Sequence, residues 1–302
     1  MKIILGILII MIVLVLLENL RELRNFKTTF YQISSPKLAK LKEDKRVLFL
    51  SDLHNRSYGK DNEKLLEEIE RLHPDGILIG GDMLVRKDGN SYEGTLAFLA
   101  KLPDICPVYY ANGNHEQKLK ELPEQYEQSY ETYKDQLVKA GIHFLENESS
   151  VWELGDVRIV ITGLEIPLSG YRHFGSGKLP VSVITELVGR AGAGYQILLA
   201  HNPDYVKEYQ SWGADLILCG HYHGGVARIP GIGGVIAPNF RLFPRYSGGI
   251  YREKDTVTVV SRGLGTHSVP IRILNSPELI VLEFSGRSCW SFQAICWDTI
   301  DR

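Results

Sequence analysis

Val47-Leu48-Phe49-Leu50-Ser51-Asp52-Leu53-His54 is an apolar run that stops on a carboxylate and an imidazole two residues apart. A short aliphatic and aromatic run without polar alternation reads as a strand buried on both faces, the kind a largely parallel sheet contains. Functional groups in such sheets collect just beyond the strand ends, where loops carry them. The same pattern recurs down the chain. Ile77-Leu78-Ile79 leads through Gly80-Gly81 into Asp82, and Val108-Tyr109-Tyr110-Ala111 leads into Asn112-Gly113-Asn114-His115-Glu116. Ile197-Leu198-Leu199-Ala200 runs into His201, and Leu216-Ile217-Leu218-Cys219 into Gly220-His221-Tyr222-His223.

Working outward, residues 46–51, 76–79, 108–111, 157–162, 196–200 and 215–219 read as strands, and 62–72 and 122–140 carry helical spacing. That alternation indicates an α/β domain. Residues 231–284 are richer in glycine turns, with strand-like runs at 256–261 and 279–284, some expected to be antiparallel. One catalytic domain over 45–285 is the expectation, preceded by a linker at 25–44 and followed by a tail at 286–302 without periodicity.

Two carboxylates, one carboxamide and four imidazoles follow the five strands, with His115 in addition. Oxygen and imidazole donors without thiolate suit a pair of divalent cations such as Mn, Fe, Zn or Co. Gly81, Gly113 and Gly220 each precede a candidate ligand and permit backbone turns that a side chain would obstruct. Any one piece alone is an ordinary turn or loop; it is all five, in order and each after an apolar strand, that point to a site.

The pattern D-x-H, G-D, G-N-H-E, H and G-H-x-H resembles that of the calcineurin-like metallophosphoesterases. It is carried by Asp52-Leu53-His54, Gly81-Asp82, Gly113-Asn114-His115-Glu116, His201 and Gly220-His221-Tyr222-His223. Ala200-His201-Asn202-Pro203, Gly263-Leu264-Gly265-Thr266 and Pro270-Ile271-Arg272 are similar to its bacterial membrane-associated, YkuE-like branch. The resemblance implies a four-layer α/β/β/α sandwich with two mixed sheets. It also implies one ion on Asp52, His54, Asp82 and His223 and a second on Asp82, Asn114, His201 and His221, with Asp82 bridging. Hydroxide shared by the two ions would attack phosphorus. His115 would stabilise the transition state or protonate the leaving oxygen, with Glu116 orienting it. Asn55, Tyr222 and His267 are candidates for contact with substrate.

Residues 3–17 form an unbroken apolar run followed by no small-residue cleavage site, so a retained single-pass membrane anchor over 1–24 is expected. The strict run spans only about 22 Å and needs Leu20 and Leu23, or local thinning of the bilayer, to cross. Lys2 on one side against Arg21, Arg24 and Lys27 on the other places the catalytic domain in the cytoplasm. The anchor favours a lipid-linked phosphoester or pyrophosphate as substrate; soluble nucleotides or phosphoproteins, or a non-catalytic recruitment role, are the alternatives. The aromatic and arginine residues of 239–252 suit a lipid headgroup or a solvated loop. A net charge of −2 gives no electrostatic case for nucleic acid. Cys106, Cys219, Cys289 and Cys296 show no metal or redox spacing and read as thiols.

Overall fold

Successive residues of the strand at 45–50 enter different cores. Val47 and Phe49 pack between two sheets, whereas Leu48 and Leu50 pack against helices, as the two-residue period of a strand requires. The computed structural model describes residues 2–85, 91–171, 177–237, 241–266 and 270–287. The chain runs α1 (Lys2–Arg24), β1 (Lys27–Ser34), β2 (Lys45–Leu50), α2 (Glu63–Leu72), β3 (Gly76–Ile79), α3 (Glu93–Leu99), β4 (Val108–Tyr110), α4 (Asn114–Glu121), α5 (Tyr130–Lys139) and β5 (His143–Phe144). It continues through β6 (Glu148–Leu154), β7 (Val157–Leu164), α6 (Val181–Val188), β8 (Tyr195–Ala200), α7 (Val206–Trp212) and β9 (Leu216–Cys219). The small hairpin of β10 (Arg228–Ile229) and β11 (Gly233–Gly234) precedes β12 (Gly249–Glu253), β13 (Thr256–Val260) and β14 (Glu278–Ser285).

The first sheet has the order β1-β14-β2-β3-β4-β5 and the second β12-β13-β9-β8-β7-β6. Both are mixed: β14 runs antiparallel to β2, β12 to β13 and β6 to β7, while the central pairs are parallel. Leu65 and Ile69 of α2, Phe98 of α3 and Tyr133 and Leu137 of α5 cover the outer face of the first sheet. Ile184 of α6 and Val206, Tyr209 and Trp212 of α7 cover the second. Between the sheets, Val47, Phe49, Leu78 and Tyr109 meet Ile159, Ile161, Ile197, Leu199, Leu216 and Leu218. The result is the four-layer α/β/β/α sandwich, with α1 projecting from it.

Two sequence expectations are corrected. Residues 25–44 are not a free linker: β1 pairs in parallel with the whole of β14, from Lys27↔Glu278 to Ser34↔Ser285, and Ile33 is buried. The folded domain therefore begins at Lys27, and α1 enters it almost without spacer. The helix expected over 122–140 starts only at Tyr130, because Pro123 interrupts the earlier stretch and the Ser129 hydroxyl caps the helix by accepting the Thr132 N–H at 3.2 Å.

Phe49 tests the layer between the sheets. Its ring fits so closely that a Cβ on Gly80 would come within 2.7 Å of it. Phe49→Ala is expected to lower unfolding free energy by about 3–5 kcal/mol, read from denaturant midpoints in detergent. A loss below about 1 kcal/mol would mean that the two sheets close over the void.

Candidate metal centre

The ends of β2, β3 and β4 in one sheet and of β8 and β9 in the other deliver their loops to one place. The Asp82 Oδ2 lies 3.1 Å from His201 Nε2 and 3.8 Å from His54 Nε2. Asp52 Oδ1 lies 3.3 Å from His223 Nε2, 3.8 Å from His201 Nε2 and 3.9 Å from His54 Nε2. Three ligand-like groups result, Asp52 with His54 and His223, Asp82 with His201 and His221, and His54 with Asp82 and His115, each with donor atoms within 4.8 Å of one another.

The donor set fits divalent cations. His54 and His223 stack with their Nε2 atoms 3.1 Å apart; two imidazole nitrogens each about 2.1 Å from one cation, at about a right angle, stand about 3 Å apart. The Asn114 Oδ1 is buried with no hydrogen-bond partner, a costly state for a carbonyl oxygen that a cation relieves. Asp52 is wholly buried, whereas His54, His115, His221 and His223 keep 7–8% of their surface exposed. The carboxylates and the His54 ring, whose side chain is only 1% exposed, lie deep, and the His223 ring, 8% exposed, lies nearer the surface.

The backbone bends sharply to make this arrangement. Asp52, His54, Asp82, His221 and His223 all adopt positive φ, between 49° and 68°, a region that side chains other than glycine occupy at a cost of about 1–3 kcal/mol each and that clusters at functional sites. The glycines serve another need as well. Gly81 has φ +87°, but Gly113 and Gly220 matter through close approach: a Cβ would fall 2.2 Å from Asp82 Oδ1 at Gly113 and 2.1 Å from Ser51 Oγ at Gly220.

Both carboxylates and the rings of His201 and His223 are then held from behind. The Ser51 hydroxyl donates to Asp52 Oδ2 at 2.6 Å and the His221 N–H to Oδ1 at 2.9 Å. The His115 N–H donates to Asp82 Oδ1 at 2.8 Å. His201 Nδ1 meets the Gly80 carbonyl at 2.7 Å and His223 Nδ1 the Gly265 carbonyl at 3.3 Å, contacts that turn Nε2 toward the centre. Burial pushes Asp52 up to about 6, the nearby Asp82 adding to it against His201. For Asp82, burial is outweighed by His201, His115 and His54, which hold it well below the usual carboxylate range. Burial works against a charged His201, yet Asp82 and Asp52 push it up to about 10. The buried Asp82 and Asp52 carboxylates thus favour positive charge beside them, which divalent cations supply.

The sequence-predicted residues divide clearly. Asp52, His54, Asp82, His201, His221 and His223 converge, His115 joins them with its ring edge-on to His54 at 4.8 Å, and Asn114 next to His115 keeps a buried, unpartnered Oδ1. Glu116 has a different task from the one expected. Its buried carboxylate accepts the N–H groups of Asp82, Met83 and Gly113 and the Tyr110 hydroxyl, so it clamps the Asp82 loop to the Asn114 loop. Tyr222 is buried and donates its hydroxyl to Asp204. Asn55 accepts the Thr95 hydroxyl through Oδ1, leaving a buried Nδ2 without a partner. His267 lies outside the described residues.

Several contributors were not read from sequence. Tyr171 sets its ring 5.2 Å from that of His221. Arg272, wholly buried, donates to the carbonyls of Asn275, Arg262 and Gly265 and so shapes the loop behind His223. Asn275 supports the same place by donating to the His223 carbonyl at 2.7 Å. Cys106 and Cys219 are free and buried, and burial pushes the Cys106 thiol up to about 12.

Comparison with known proteins agrees with this geometry. The model of the calcineurin-like phosphoesterase family matches residues 45–225. The phosphodiesterase YaeI of Escherichia coli is 28% identical over 241 residues, covering 79% of this chain and 81% of its own. Two Bacillus subtilis metallophosphoesterases are similar: YkoQ, 27% identical over 77% of this chain and 81% of its own, and YkuE, 26% identical over 84% of each. Since the matched span takes in every strand-end loop from Asp52 to His223, the chain belongs to the calcineurin-like phosphoesterases and is a metal-dependent phosphoester hydrolase.

Proposed function

We propose that this protein is a membrane-anchored phosphoesterase that uses two divalent cations to cleave a phosphoester or pyrophosphate bond of a lipid-linked substrate, facing the cytoplasm. The observation that carries the reading is the gathering of the donors of Asp52, His54, Asp82, His201, His221 and His223 in one buried site, with the Asn114 carbonyl oxygen left for a cation. Asp52, His54, Asp82 and His223 would hold one ion and Asp82, Asn114, His201 and His221 the other. Bound there, such ions activate water and neutralise phosphoryl charge. The chain's own residues do the rest. His115 lies edge-on to His54, its backbone tied to Asp82, and places an imidazole where a leaving oxygen needs a proton. The Asn55 Nδ2 would donate to a phosphoryl oxygen and so acquire the partner it lacks.

Two observations support the anchor. At 23 residues α1 is about 35 Å long, enough for a hydrocarbon layer of about 30 Å. The apolar side chains along it are exposed rather than packed in the domain. The name of the YaeI relative favours a diester.

The test loads the full chain in detergent with manganese and compares a phosphomonoester, a phosphodiester and a pyrophosphate-linked lipid, with and without chelator. Turnover is expected to vanish on chelation. His115→Ala is expected to lower kcat by about 10²–10⁴ while metal content is retained. A fully metal-loaded protein inert toward all three bonds would sink the reading.

A further inference from the structure

The residues just after His223 form a small module with an unusual surface. Backbone hydrogen bonds join three segments: the β10–β11 hairpin, the turn at Arg241 to Phe243 and the loop at Pro270 to Asn275. Arg228 N–H donates to the Ile273 carbonyl, Ile273 N–H to Val226, and Phe243 N–H to Val235. The apolar side chains of this module point outward. Ile232 and Leu242 are 67% and 63% exposed, and Ile229, Phe243, Ile271 and Leu274 are exposed beside them. A soluble surface does not gather so many large apolar side chains without a partner for them.

The place of the module names that partner. Asn19, at the base of α1, accepts the Arg272 N–H at 2.8 Å and donates to the Pro270 carbonyl. Ile271, between those two residues, therefore lies at the level where the exposed apolar side chains of α1 end. The exposed apolar surface of the helix thus leads onto Ile271 of the module, so a bilayer entered by α1 would lie against both. The arginines nearby are already matched within the chain, Arg241 to Asp204 and Arg245 to Glu253, so contact with lipid falls to the apolar residues rather than to a basic patch.

We infer that the hairpin and its two flanking loops dip into the bilayer that α1 enters, and that this holds the metal centre at the headgroup level, where it takes the phosphate of a lipid. The inference rests on the reading of α1 as an anchor and of the centre as a phosphoesterase site. Its link to the chemistry is short. His223 lies three residues before Val226, and Asn275 ties the carbonyls of His223 and Gly225 to the loop that carries Leu274.

The test uses the full chain with Cys289→Ser and Cys296→Ser, so that one added cysteine can carry an environment-sensitive NBD probe. The protein is reconstituted in phosphatidylcholine–phosphatidylglycerol vesicles with or without brominated acyl chains. Probes at Ile232→Cys and Leu242→Cys are expected to be quenched about twofold or more by brominated lipid. A probe at Val138→Cys should not respond, since α5 lies beside β5, five strand spacings of about 4.8 Å from β1. If positions 232 and 242 behave like 138, the inference falls. It also falls if they are shielded from both brominated lipid and aqueous iodide, which would reveal a protein partner.

A second arm reads the substrate. Ile232→Asp with Leu242→Asp is expected to slow hydrolysis of a vesicle-embedded lipid phosphoester about tenfold while a water-soluble phosphoester is cleaved within about twofold of the parent rate. Equal loss on both, or loss on neither, overturns the lipid assignment. A parent chain inactive on every substrate would refute the phosphoesterase reading, and one washed from vesicles by alkaline carbonate would refute the anchor; the probe positions still report on the surface in the first case.

Discussion

Asp82→Asn is expected to reduce metal-dependent turnover at least about a thousandfold and, on the proposed two-cation centre, to leave one tightly bound cation in place of two. Asp82 belongs to two of the three ligand-like groups, and its Oδ2 faces both His201 and His54. Its Oδ1 also accepts the His115 N–H. Asparagine keeps the volume and can keep that backbone bond through its own oxygen. It cannot offer a second anionic oxygen, and its NH₂ group would face the cation with the wrong sign. The charge lost is one that His201, His115 and His54 already stabilise strongly, so its removal leaves three imidazoles without their central counter-charge. Metal content per chain and kcat measured on the same preparation decide the matter. Two ions retained with turnover within tenfold of the parent would deny Asp82 its bridging place.

The part of this architecture that can be read locally is the part written in abrupt changes of residue type. An apolar run ending on Asp, His or Asn is visible without a partner strand, and β3 occupies the span 76–79 read for it. In the second sheet β8 and β9 are legible for the same reason, whereas β6 and β12, which mix polar and apolar side chains, are not. What escaped depends on contacts far along the chain. The pairing of β1 with β14 joins residues about 250 positions apart, and Lys27-Thr28-Thr29-Phe30-Tyr31-Gln32 mixes polar and apolar side chains as an edge strand or a tether equally can. Arg272 stands out in the sequence only as part of the Pro270-Ile271-Arg272 motif; it is the fold that surrounds its guanidinium with carbonyl groups. Glu116 did carry a signal, since Gly113-x-x-Glu116 has the spacing of a capping box. That spacing shows why the carboxylate turns back toward the Gly113 N–H, but not that it reaches the Asp82 loop. Tyr171 gave none, because an aromatic residue between helices is indistinguishable from core.

Gly81→Ala is expected to lower kcat about a hundredfold or more and to weaken cation binding, although it adds only a methyl group and removes no candidate ligand. Two independent obstacles meet at this position. The residue has φ +87°, where alanine pays about 1–2 kcal/mol for its Cβ. The new Cβ would also stand 2.0 Å from the Gly113 nitrogen and 2.4 Å from its Cα. Those are backbone atoms, so no side chain can swing away, and the Asp82 loop must part from the Asn114 loop by about an ångström or more. The Glu116 carboxylate, which bonds both loops at 2.8–3.0 Å, would lose at least one of its donors. A misplacement of about 1 Å in a centre of this kind is enough for a hundredfold loss. Gly94→Ala provides the contrast: it lies in α3 with nothing within 4 Å of its Cβ direction, and alanine there should leave kcat unchanged and stabilise the helix by about 0.5–1 kcal/mol. Metal titration, kcat and thermal midpoint for the two variants separate the cases, and a Gly81→Ala enzyme within about threefold of the parent would show that the two loops need not touch to assemble the centre.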